Sequence, residues 1–105
     1  MRADYDSEAD ALSIDLIEVD GWDGADDPVD ETYCHVALAG GQPANLELLS
    51  PREHIDLLAV AAERYDLDPE KLEAAARAAI AAPDRLVTLD FSARQPDSQG
   101  RVPAA

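Results

Sequence analysis

Asp6, Ser7, Glu8 and Asp10 stand directly before an alternating run, Leu12-Ser13-Ile14-Asp15-Leu16, and this juxtaposition constrains the fold more than any other feature. Short polar side chains bond their own backbone in tight turns. Successive strand side chains point to opposite faces, so Leu12, Ile14 and Leu16 share one face. The stretch from Tyr5 to Leu16 therefore predicts a β-hairpin opening a small sheet, with Tyr5, Asp6 and Asp10 as structural turn residues.

The rest of the chain extends that sheet and then covers it. Residues 18–28, punctuated by Gly21, Gly24 and Pro28, read as a long hairpin loop. Between Glu31 and Ala39 alternation returns, with Cys34, Val36 and Leu38 on one face and Tyr33, His35 and Ala37 on the other. Gly40-Gly41 suits a hairpin turn, and Pro43 to Leu49 reads as the returning strand, with Ala44, Leu46 and Leu48 inward. Ser50-Pro51-Arg52-Glu53 has the form of a capping box that starts a helix, and Ile55, Leu58, Ala59 and Ala62 follow at helical spacing. Asp68-Pro69 opens a second helix with Leu72, Ala75, Ala76, Ala79 and Ile80 as its stripe, and Pro83 stops it. Leu86 to Phe91 reads as a last strand joining a sheet edge. The expected fold is α+β: an N-terminal antiparallel meander of about four strands, two helices on one face, and one C-terminal strand. Residues 1–92 make a single domain, and residues 93–105 a disordered tail without periodicity.

Charge narrows the partners. The chain of 105 residues has a formal net charge of −15. Residues 1–50 carry 13 acidic side chains against Arg2 alone, while residues 51–105 carry 10 acidic and 7 basic ones. Such a surface repels nucleic-acid phosphates and anionic membranes, and it favours a basic protein or a cation. A general compositional bias of a high-GC or halophilic proteome explains the same charge, given one lysine and abundant Ala and Arg. A chain with a single cysteine has no internal disulfide, and no segment has a leader's or a membrane span's pattern, so the expected location is cytoplasmic. With only five aromatic residues, the core is thin, and burial against a second copy would help it. A homodimer is the expectation on that ground.

Tyr5-Asp6, Asp10, Leu12, Ile14 and Leu16, followed later by Leu46-Glu47-Leu48-Leu49-Ser50, resemble the pattern of domain of unknown function 2283, a family of small prokaryotic proteins. The resemblance covers residues 2–50. It departs where Ser13 replaces the usual aromatic, where Asn45 replaces the usual Gly, and where the Asp-rich stretch from Asp20 to Asp27 looks inserted. It implies a small β-meander domain without established enzymatic activity, and an antitoxin-like role beside a small basic partner.

Candidate chemistry is sparse. Trp22, a large aromatic among Asp23, Asp26 and Asp27, reads either as folded onto the core or as a partner-binding anchor flanked by carboxylates. Asp6, Asp10 and Glu47 form the alternative reading of a divalent-metal-binding protein or enzyme, and of these Asp10 and Glu47 are the carboxylates that the resemblance singles out. They lack the spacing of a calcium loop. Cys34 and His35 face opposite sides of one strand and cannot form a dyad with each other, and Cys34 belongs to the apolar face as an inert thiol. The second helix carries Lys71 and Arg77 beside Glu70 and Glu73, which is no basic reading face for DNA. No catalytic residue and no cofactor is expected. The leading expectation is a non-enzymatic protein-interaction module, antitoxin- or inhibitor-like, that binds a basic partner.

Overall fold

The polar cluster turns the chain as its side chains demand. Asp6 accepts the N–H groups of Glu8 and Ala9 through one carboxylate oxygen, and Asp10 adopts the left-handed region at φ 54° before the chain reverses. Asp tolerates that region better than bulkier residues do. The turn joins β1 (Arg2–Asp6) to β2 (Ala11–Asp15) in antiparallel register. The computed structural model describes residues 1–18 and 26–91. Four further strands follow: β3 (Asp26–Asp30), β4 (Cys34–Ala39), β5 (Gln42–Leu49) and β6 (Leu86–Thr88). Two helices, α1 (Leu57–Tyr65) and α2 (Pro69–Ala81), lie between β5 and β6 in sequence. All these strands join one six-stranded antiparallel sheet in the order β3-β4-β5-β2-β1-β6.

The α+β class follows the sequence, but the strand count does not. β3 falls partly inside the stretch read as a loop. Asp26-Asp27-Pro28-Val29-Asp30 holds four residues of strand-poor types, so no alternation announces it. It forms because it lies at an edge and pairs on one side only, with β4, across a bulge between Pro28 and Asp30. Proline is tolerated in such a place because no second neighbour needs its missing donor. Gly40 and Gly41, both at positive φ (60° and 81°), turn β4 into β5, as their sequence predicts.

The first helix also starts later than its signals suggest. Ser50 takes φ 47° and its carbonyl accepts the N–H groups of Glu53 and His54, which makes a turn instead of a capping box. The α-helix begins at Leu57, behind Asp56, whose side chain makes no cap bond. Leu58, Ala61 and Ala62 are its buried side, so Ala61 takes the place expected of Ala59, which is exposed. In α2 the signals hold: Asp68 accepts from the N–H groups of Glu70 and Lys71, and Leu72, Ala75, Ala76 and Ala79 are buried.

The core lies between the helices and one face of the sheet. Leu12, Ile14, Val36, Leu46 and Leu48 from the strands meet Leu58 and Leu72 from the helices. Burial of each such side chain stabilises the fold by roughly 1.5–3 kcal/mol. The alanines of α2 carry little area but let its backbone sit close over β1 and β2. Ala3 and Tyr5 complete this face on β1. Among the described residues, the other face of the sheet carries no helix.

Candidate functional site

Because the side chains of a strand alternate, the residues that are not in the core line up on the uncovered face. Register assembles them into cross-strand rows. One row runs Leu86, Asp4, Ser13, Glu47, His35 and Pro28 across six strands. The neighbouring row runs Thr88, Arg2, Asp15, Asn45 and Ala37.

The second row is tied together. Asn45, only 6% exposed, donates from one amide nitrogen to Ser13 Oγ and to Asp15 Oδ1, both at 2.9 Å. Arg2 Nη2 holds the other oxygen of Asp15 at 3.2 Å. The Asn45 side chain thus links β5 to β2, a bridge that a smaller residue at this position would not offer. In the first row, Asp4 and Glu47 make no side-chain hydrogen bond or ion pair among the described residues. Neighbouring strands lie about 4.8 Å apart, so Ser13 spaces these two carboxylates by roughly 10 Å. A hydrogen-bonded platform thus carries two carboxylates that have no partner among the described residues, with Arg2 already committed to Asp15.

The residues singled out from sequence sit elsewhere or are otherwise engaged. Trp22 and Asp23 lie outside the described residues, and of Asp26 only the backbone, paired with Ala37, is described. Asp27 accepts a hydrogen bond from the Tyr65 hydroxyl and faces Arg64 at 3.5 Å. Burial, with this carboxylate second, raises the Tyr65 pKa above the ordinary phenol value. Tyr5 donates to Asp10 at 2.6 Å and accepts from Arg52 at 3.2 Å, which sits over its ring. The Asp10 bond, with burial second, raises the Tyr5 pKa. The motif Tyr-Asp-x-x-x-Asp is therefore a self-contained clasp: the aromatic hydroxyl ends on the second aspartate while the first closes the turn. Asp6 and Asp10 are thus bound to their own hairpin, and Glu47 stands apart from them on β5, opposite Ser13. Among the described residues, no three His, Cys, Asp or Glu side chains gather as a metal site.

Nor do the nucleophile and its candidate bases meet. Cys34 is fully buried on the helix side, and burial pushes its thiol pKa up to about 11. His35 lies on the open face and donates to the Glu31 carbonyl at 3.1 Å. His54 stacks on Tyr33 at 3.7 Å between ring centroids. A cleft of about 520 Å³ lies beside the α1–α2 turn between Leu16, Tyr65, Leu67 and Leu72, and its one carboxylate with a fixed role, Asp68, caps α2.

Asp4 and Glu47 are the pair that sequence reading left unconnected. Alternation turned Glu47 outward, but only the register β1–β2–β5 sets it beside Asp4.

These features define a class: a two-layer α+β protein, helices on one side of its sheet and a polar, carboxylate-bearing platform on the other. No family model, no curated protein and no solved structure matches the chain. Among the described residues no helix is long and apolar enough to cross a membrane.

Proposed function

We propose that the chain is a non-enzymatic protein-interaction module, antitoxin- or inhibitor-like, that binds a basic partner on its uncovered sheet face. The observation that carries this reading is the pair Asp4 and Glu47, without a side-chain partner among the described residues, on a platform that Asn45 ties from β5 to β2. Two carboxylates about 10 Å apart on a rigid sheet suit two cationic side chains of one partner surface. The charge of −15 supports the same reading, since it raises the encounter rate with a basic molecule. Membership of residues 2–50 in domain of unknown function 2283, also our reading, agrees with such a role.

Affinity capture with the immobilised chain at low ionic strength, followed by titration with the purified captured protein, tests this function. A basic partner is expected, with affinity reduced about tenfold or more by joint Asp4→Lys and Glu47→Lys and falling as salt rises. An acidic partner, or binding indifferent to both reversals, would remove the reading.

A further inference from the structure

The two edges of the sheet are built differently. At β3, Pro28 removes a donor, a bulge breaks the register, and Asp27, Asp30 and Glu31 set negative charge along the rim. Arg64 from α1 also occupies the Pro28 carbonyl at 2.8 Å. These are the devices by which proteins keep an edge from pairing.

β6 has no proline, bulge or charge of its own, and only its three-residue length limits pairing. It consists of Leu86, Val87 and Thr88, and Leu86 is 57% exposed. The direction of its backbone groups follows from the ladder with β1. Leu89 exchanges both of its backbone bonds with Met1, at 2.8 and 3.2 Å, and Val87 lies opposite Ala3. In an antiparallel pair alternate residues bond to the same side. Leu86 and Thr88 therefore turn their N–H and C=O groups outward, where no strand follows among the described residues.

We propose that β6 is an association edge that takes a second copy of this chain, by antiparallel β6–β6 pairing about a two-fold axis at Thr88. Three observations select that occupant. First, no like charges oppose one another in the pairing: Thr88 meets Thr88, Val87 meets Leu89 and Leu86 meets Asp90, so the paired strands of two copies of −15 add no direct repulsion. Second, the register is self-complementary. With the axis at Thr88, the outward groups of the two Thr88 residues bond each other, and Val87 of each copy meets Leu89 of the other on the helix side. Each side chain keeps its face, as a continuous sheet requires. Third, there is room. Three strand steps separate β1 from its symmetry mate, roughly 14 Å, against the 8–10 Å at which helices touch, so the two copies of α2 do not collide.

The inference is independent of the acidic platform and differs from it in salt dependence. Screening relieves repulsion between like-charged copies, so self-association strengthens with salt, whereas binding of a basic partner weakens. Sedimentation velocity on the full chain tests it, from about 10 µM to 1 mM and from about 50 to 500 mM NaCl. A monomer–dimer equilibrium is expected, tightening by about threefold or more across that salt range. Thr88→Lys sets two ammonium groups face to face on the axis, and it should weaken the dimer about tenfold or more although it brings the net charge nearer zero. Thr88→Pro deletes the outward donor and should act alike, with circular dichroism and melting showing that each variant is folded. A wild-type monomer at about 1 mM in high salt, or a dimer unchanged in a folded Thr88 variant, would overturn the assignment.

Discussion

Asp84 illustrates how a single exposed residue holds distant parts of this chain together. Its carboxylate accepts the Ser7 hydroxyl at 2.6 Å and the Ser7 N–H at 2.9 Å, which locks the β1–β2 turn to the connection between α2 and β6. The two Ser7 bonds, the hydroxyl first, lower the Asp84 pKa below the ordinary aspartate value. A carboxylate with a depressed folded pKa contributes stability that is complete above its unfolded pKa and is lost as pH falls through the folded one. The unfolded value is about 4. Asp84→Asn keeps the shape but loses the charge that strengthens both bonds. The wild type should therefore melt at higher temperature than Asp84→Asn above about pH 4, and the gap should close as pH falls below it. Thermal melts of both proteins between about pH 2.5 and 7 measure this directly, and a gap that stays constant to the acid end would refute the role of the charge.

At the scale of elements, α1 and α2 differ in how their starts are made. Asp68 bonds the N–H groups of Glu70 and Lys71 at 3.0 and 3.4 Å, while α1 has no side-chain cap at Asp56. Asp68→Ala should destabilise the protein by about 1 kcal/mol in urea denaturation, and Asp56→Ala by only a few tenths. Equal losses would show that the α2 cap is idle. This contrast also marks what a sequence can disclose. Asp68-Pro69 is a local signal, and local signals that satisfy adjacent backbone groups are realised here, as are Gly40-Gly41 and the alternation of Leu12 and Ile14. Ser50-Pro51-Arg52-Glu53 carries an equally good helix signal, but Ser50 must first turn the chain off the end of β5, and its carbonyl is used for that turn. β3 is hidden for the opposite reason: its pairing with β4 is a tertiary fact, and its residues suit the guarding of an edge. The candidate platform falls in the same category. That Asp4 and Glu47 point outward is legible from period two, but their juxtaposition depends on β1, β2 and β5 being neighbours, and β5 reaches β2 only after β3 and β4 have been laid outside it.

For the whole molecule, a net charge of −15 sets the carboxylates against one another in the folded state. At 0.01 M salt the screening length is about 30 Å, above the 25 Å narrow dimension of the fold and below its 45 Å long one, so each carboxylate feels most of the others. At 0.1 M it is about 10 Å, and at 1 M about 3 Å, by which point only adjacent groups interact. Unfolding lets the charges spread, so repulsion favours the unfolded chain and screening favours the folded one. The melting temperature should thus rise with NaCl, steeply between about 0.01 and 0.1 M and with little further gain toward 1 M. A domain of this size shifts by about 4–8 °C for each kcal/mol, so even a modest relief of repulsion is measurable. The shape of this curve separates the two origins of the charge. A chain adapted to a salt-rich interior would go on gaining stability up to molar salt, through ion binding rather than screening. A chain whose carboxylates await a basic partner should reach its plateau near the concentration where the screening length falls below the roughly 10 Å between Asp4 and Glu47. The plateau is the outcome expected here, because these two carboxylates stand as a spaced pair on one face of the sheet and the pairs that stabilise the fold, such as Arg2 with Asp15, are already made internally.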